Sequence, residues 1–173
     1  MSYIIAITGP TGAGKSIVAT QIAKEIDKCV NIDADVVKHF IENGFIYDES
    51  PQGVEQWRLL GKNIGQLAKN FQESGYNVVI NGYLNEPAWE NIQLFVKLDQ
   101  KLLILPSVET TVKRDQGRSI ETTMGEDAVK SHATYFSTNL YYSDFVKIDS
   151  TNQTVDQTVE VILNGLKEIN LVA

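Results

Sequence analysis

The chain has 173 residues, and 15 Lys+Arg against 22 Asp+Glu leave a formal net charge of −7. That length suits one domain with a full core of its own, and 43% hydrophobic with 21% charged residues excludes wholesale disorder. The acidity argues against gripping nucleic acid or an anionic membrane by charge alone. Cys29 is the only cysteine, and His39 and His132 are the only histidines, so a disulfide framework and a Cys- or His-built metal cluster are both excluded. No apolar run approaches the roughly 18 residues a membrane helix needs, and the N-terminal run at 3–7 is too short for a secretory signal. The expected address is the cytoplasm, with no membrane attachment. The sequence is silent on oligomeric state.

Short apolar runs alternate with longer segments of helical period. The first run, at 3–8, reads as a strand and is followed by a helix over 16–26. A strand at 29–32 leads into a helix over 35–43. The stretch 54–74 carries Trp57, Leu60, Ile64, Leu67, Ala68 and Phe71 at spacings of three and four, which predicts one apolar helix face. Then come a strand at 77–80, a helix at 86–95, a strand at 101–105 and a helix at 108–118. A helix at 125–138, a strand at 145–148 and a helix at 155–169 complete the series. The strands lack clean alternation, as expected when both faces are buried. Such strand–helix alternation predicts an α/β fold: a parallel sheet between two helical layers, with ligands beyond the strands' carboxyl ends.

That edge is where the motifs lie. Gly9-Pro10-Thr11-Gly12-Ala13-Gly14-Lys15-Ser16 follows the first strand and fits G-x-x-x-x-G-K-[ST] in full, the Walker A pattern. Glycines let the backbone form a nest of inward N–H groups, and the helix beginning near Lys15 adds its positive dipole end. Lys15 is suited to the β- and γ-phosphates of ATP and the Ser16 hydroxyl to Mg2+. After the second strand, Asp33-Ala34-Asp35 sets two carboxylates one residue apart. One would serve the Mg2+ shell or contact substrate, and the other would orient or deprotonate an attacking hydroxyl. Either also makes a good helix N-cap. The third strand runs into Asn81-Gly82-Tyr83, without the carboxylate that nucleotide hydrolases place there. Asn81 and Tyr83 are candidates to line the acceptor pocket, or else form a plain polar turn. Arg114 and Arg118 share a helix face at the start of a polar stretch, suiting a lid that brings positive charge to a transferring phosphoryl group. Lys38, His39 and Arg58 are weaker candidates, each equally readable as surface.

With this loop the chain resembles the P-loop nucleoside-triphosphate-binding proteins. The D-x-D and the R-x-x-x-R narrow the resemblance to the small P-loop kinases of the gluconate kinase, shikimate kinase and chloramphenicol phosphotransferase type. The resemblance implies a five-stranded parallel sheet of order 2-3-1-4-5 in a single domain over 1–173. It also implies an acceptor-binding segment at about 36–75 and a lid at about 115–128. The implied activity is ATP- and Mg2+-dependent phosphoryl transfer to a hydroxyl of a small molecule such as a sugar acid, cyclitol or antibiotic-like acceptor. By the same resemblance Asp35 is the base, Asp33 joins Ser16 at the metal, and Arg114 and Arg118 stabilise the transition state. Gly9, Thr11, Gly12, Ala13, Gly14, Lys15 and Ser16 hold the nucleotide, and Asp33, Asp35, Asn81 and Tyr83 contact the acceptor. Two alternatives stand beside this expectation. One is a kinase for a nucleotide, a nucleic-acid end or a nucleotide-sugar, as in polynucleotide kinases and zeta-type toxins. The other is a nucleotide-binding switch without transferase activity.

Overall fold

A computed structural model describes residues 2–46, 48–117 and 123–172. In chain order the elements are β1 (Ile4–Thr8), α1 (Lys15–Glu25), β2 (Cys29–Asp33), α2 (Ala34–Lys38), α3 (Pro51–Glu73), β3 (Asn77–Asn81) and α4 (Glu86–Ile92). They continue with β4 (Gln100–Ile104), α5 (Val108–Gln116), α6 (Glu126–Thr138), a 3-10 turn at Leu140–Tyr142, β5 (Val146–Ile148) and α7 (Val155–Glu168). The strands pair in parallel in the order β2-β3-β1-β4-β5. This is the expected three-layer fold.

Each strand splits its residues between two cores, because successive side chains leave opposite faces of a sheet. Ile4, Ala6, Val78, Ile80 and Leu103 face α3, α4 and α6, where they meet Trp57, Ile64, Trp89 and Phe136. Ile5, Ile7, Val79, Leu102 and Ile104 face α1 and α7, meeting Val18, Ile22 and Ile162. Helices α3 and α4 pack very closely. A Cβ on Gly61 would lie 2.3 Å from the Ala88 carbonyl oxygen, so only glycine permits this approach.

Two boundaries differ from expectation for definable reasons. The helix after β2 stops at Lys38 instead of running to residue 43. The Phe40 and Ile41 amides bond three residues back, to Val37 and Lys38, and Phe40 is left exposed with no core to bind it. The long helix starts at Pro51, earlier than expected, because the Ser50 hydroxyl accepts from the Gly53 amide and Pro51 suits the first turn. Between these helices, the described residues 39–46 and 48–50 form no regular element. Gln56 of α3 clips that stretch, accepting from the Ile46 amide at 2.6 Å and donating to the Gly44 carbonyl at 2.8 Å.

Candidate functional site

The segment from Gly9 to Gly14 leaves β1 and turns into α1, with Gly12 and Gly14 at φ of +86° and +88°. Gly14 is the N-cap of α1 and no side chain caps it, so the first-turn amides are open to an anion. The loop is wedged in place: a Cβ on Gly12 would meet the Thr111 carbonyl oxygen of α5 at 2.7 Å. Lys15 lies largely buried and donates to the Pro10 carbonyl at 2.9 Å, while Ser16 is exposed beside it.

Asp33 and Asp35 divide as their positions dictate. Asp33 caps α2, its carboxylate accepting from the Asp35 amide at 2.9 Å. Asp35, one residue into the helix, is half-exposed and pairs with the Lys38 ammonium at 2.9 Å. Lys38 is itself buried, 5.7 Å from the Trp57 ring and 5.9 Å from the Phe45 ring. His39 sits exposed at the C-cap of α2, and Arg58 pairs with Glu55 on the solvent face of α3. Both of these take the surface reading.

The third strand separates Asn81 from Tyr83. Asp33 and Asn81 are register partners, and their side chains face α1 along with Asn31. Asn81 Nδ2 donates to Asn31 Oδ1 at 2.8 Å, Asn31 Nδ2 to Thr20 Oγ1 at 3.2 Å, and Thr20 Oγ1 to the Ser16 carbonyl at 2.7 Å. This chain fixes the Asn81 amide and leaves its Oδ1 buried without a partner. Tyr83 leaves on the other face and joins an aromatic wall. Its ring centroid lies 6.2 Å from Trp57, 4.5 Å from His132 and 5.3 Å from Phe136. Burial, then the nearby Tyr135 and Glu49, push the Tyr83 phenol up to about 12, so it stays a neutral hydroxyl.

Arg114 reaches the turn after β5, donating to the Ser150 carbonyl at 2.8 Å and the Gln153 carbonyl at 3.3 Å. Its neighbour Asp115 is buried and ties α5 to the start of α6. The Asp115 carboxylate accepts from the Thr123 hydroxyl at 2.8 Å and the Met124 and Gly125 amides at 3.0 and 3.1 Å. Arg118, the second arginine expected at the lid, lies outside the described residues.

His132 was not legible as a site residue. Its Nδ1 is 2.9 Å from the Thr11 hydroxyl, and its ring rests on Tyr83. The available signal was its place beside Val129, Ala133 and Phe136, the buried face of α6. Burial, then the charges of Lys15 and Lys38, hold His132 below the usual imidazole range. A continuous path of contacts therefore runs Thr11–His132–Tyr83–Trp57–Lys38–Asp35, from the phosphate loop to the candidate base.

The α1 face of this site fits a hydrated Mg2+. The exposed Ser16 hydroxyl, the Asp33 carboxylate and the unpartnered Asn81 oxygen share it. No group of three or more His, Cys, Asp or Glu among the described residues could hold a metal. No helix among the described residues is long and apolar enough to cross a membrane.

The family profile described as Zeta toxin matches residues 2–97. Among curated proteins, none matches the chain. A sugar kinase from Janibacter sp., in an unliganded structure, superposes with a TM-score of 0.73 at 15% identity, covering 99% of this chain and 97% of that one. A thymidylate kinase from Candida albicans gives a TM-score of 0.69 at 14% identity over 98% and 93% of the two chains. A shikimate kinase from Acinetobacter baumannii, in complex with shikimate, gives 0.63 at 17% identity over 99% and 96%. The fold is that of the small P-loop kinases, and proteins described as sugar, thymidylate and shikimate kinases share it.

Proposed function

The chain belongs to the Zeta toxin family, and from that premise we propose that it is a cytoplasmic phosphotransferase moving the γ-phosphoryl group of ATP to a hydroxyl of a small molecule. The observation that supports this reading is the contact path from Thr11 to Asp35, which links the phosphate loop to the carboxylate through packed side chains. A nucleotide switch has no need of a carboxylate and an aromatic wall placed to receive a second molecule.

In this reading the loop amides and Lys15 hold the triphosphate, with Gly9, Gly12 and Gly14 letting the backbone come close. Bound at Ser16, Asp33 and Asn81, Mg2+ would supply charge neutralisation on the phosphates. Ser16 and Asp33 would hold the ion's shell, with the neutral Asn81 amide standing beside them in place of a third-strand carboxylate. Asp35 orients the acceptor hydroxyl and takes its proton, and Lys38 fixes the direction of that carboxylate. Tyr83 and Phe45, backed by the buried Trp57, exclude water and present ring faces to the acceptor. Arg114 stabilises the transferring group, for which its guanidinium must leave the Ser150 and Gln153 carbonyls that hold it here. Arg118 completes the positive charge from the lid. Rate comes from positioning and fixed charge, with little covalent chemistry for the protein to do.

A second reading, a nucleotide or nucleotide-sugar acceptor, is favoured by the family match. That match spans α2 and α3 and reaches past Tyr83, and so takes in Lys38, Trp57 and Tyr83. Such an acceptor would stack its base on the rings and meet Lys38 with its phosphate.

The test is an ADP-release screen with Mg·ATP against sugar acids, cyclitols, nucleosides and nucleotide-sugars, with Lys15→Ala as control. Turnover that rises with one acceptor class and vanishes in Lys15→Ala supports the proposal and names the class. ATP binding without acceptor-dependent turnover from any class sinks it.

A further inference from the structure

His132 stands between the phosphate loop and the aromatic wall, and no step described above uses it. It is half-buried on α6, with Nδ1 engaged by the Thr11 hydroxyl of the phosphate loop and one ring face engaged by Tyr83. A threonine hydroxyl both donates and accepts, so this bond survives whether the imidazole is neutral or protonated. Nε2 has no partner among the described residues that competes with a ligand. The charged or titratable groups facing the ring are Lys15 at the start of α1, Lys38 of α2 and the neutral Tyr83 phenol after β3. Two cations beside an imidazole in a half-buried site favour its neutral form.

A triphosphate reverses that balance. It brings several negative charges into the loop that Thr11 and Lys15 belong to, and these outweigh the Lys15 charge that the ring also feels. In a net acidic chain, few cations are placed to meet that charge.

We propose that His132 is a ligand-recruited cation: neutral beside the empty phosphate loop, it takes up a proton from solvent when a triphosphate binds. It then holds Thr11 through Nδ1 and offers Nε2–H to the terminal phosphate. The proton stays on the ring throughout. It neutralises charge on the transferring group and is not passed to the acceptor. His132 is thus a phosphate-contacting catalytic residue contributed by α6, additional to Lys15 and the arginines. The inference rests on the kinase reading, because it requires a triphosphate in the loop.

The chain's two histidines make the test direct. Ring signals of the full-length protein are followed by NMR across pH, with and without Mg2+ and a non-hydrolysable ATP analogue. His39, exposed at the end of α2, serves as internal reference. The His132 midpoint is expected to rise by roughly one to two pH units with the analogue while His39 stays put. Calorimetry of analogue binding in two buffers of different ionisation enthalpy should show proton uptake that disappears in His132→Gln. That variant retains a polar partner for Thr11. Once an acceptor is known, His132→Gln should lower kcat by about tenfold or more and remove the fall of kcat at alkaline pH. His132→Arg should keep most of kcat and flatten the same limb. A merely structural histidine would give the opposite pattern, with Gln tolerated and Arg not. If the analogue binds, as shown by its own affinity, yet His132 does not shift, the inference is wrong and the kinase reading stands. If the analogue does not bind at all, both fall together.

Discussion

Asp35→Asn is expected to lower kcat by about 10^2- to 10^4-fold, the range a positioned general base supplies, while leaving ATP affinity nearly unchanged. The asymmetry follows from where the residue stands. Asp35 lies in the first turn of α2, on the acceptor side of the contact path, and it reaches no residue of the phosphate loop. Asparagine keeps the size and the helix position but cannot take a proton. It also replaces a carboxylate that accepts from Lys38 with an amide that offers that ammonium only a neutral oxygen. Lys38 would then sit against Phe45 and Trp57 with a weaker partner, so a modest loss of stability should accompany the loss of rate. Measuring kcat and KM for ATP by ADP release, beside a thermal melt, separates the two effects. Full activity in Asp35→Asn would move the base to Asp33, whose own substitution by Asn preserves the α2 cap and so isolates its chemistry.

The second large effect is on stability. Trp89 is completely buried on α4, its ring centroid 6.0 Å from Phe145 in an edge-on packing. Trp89→Ala should cost about 3–5 kcal/mol, from lost transfer energy together with the cavity left behind. Against a typical domain stability of roughly 5–15 kcal/mol, that leaves a protein close to unfolding. Trp89→Phe should behave very differently. The indole Nε1 is buried with no hydrogen-bond partner, and an orphaned donor of that kind carries a penalty of about 1–3 kcal/mol that phenylalanine removes. That gain opposes the smaller void a phenyl ring leaves, so the variant should lie near the parent. Urea midpoints of the three proteins decide it. A Phe variant as weak as the Ala variant would mean that an ordered water satisfies the indole.

Much of this architecture was readable without coordinates, and the reasons are local. Strands 3–8 and 77–80 are continuous apolar runs bounded by polar residues, and they can only be buried on both faces. The long helix declared itself through Trp57, Leu60, Ile64 and Ala68, which do line its buried side. The phosphate loop was legible because its glycines answer a steric demand made by neighbours, such as the Thr111 carbonyl against Gly12. The division between Asp33 and Asp35 was foreseen only as a choice. Which of two aspartates caps depends on where the backbone turns, and one residue decides it. The aromatic wall was not foreseen. Tyr83, Tyr135 and Tyr142 are scattered in sequence, and only the packing of α6 and the 3-10 turn against the end of β3 brings them together. His132 escaped for the same reason, since its partner Thr11 is 121 positions away.

Both tryptophans are buried, Trp89 between α4 and the sheet, and Trp57 beneath the aromatic wall with its ring 5.7 Å from the Lys38 ammonium. The molecule thus carries an intrinsic optical reporter beneath the place where its second substrate is expected. In Trp89→Phe the remaining emission comes from Trp57 alone. An acceptor that stacks on the wall or draws Lys38 away then changes that emission before any phosphate moves. Acceptor binding becomes visible as a colour shift in the apo protein, independent of turnover, and the acceptor can be sought by titration even among compounds that bind and never react.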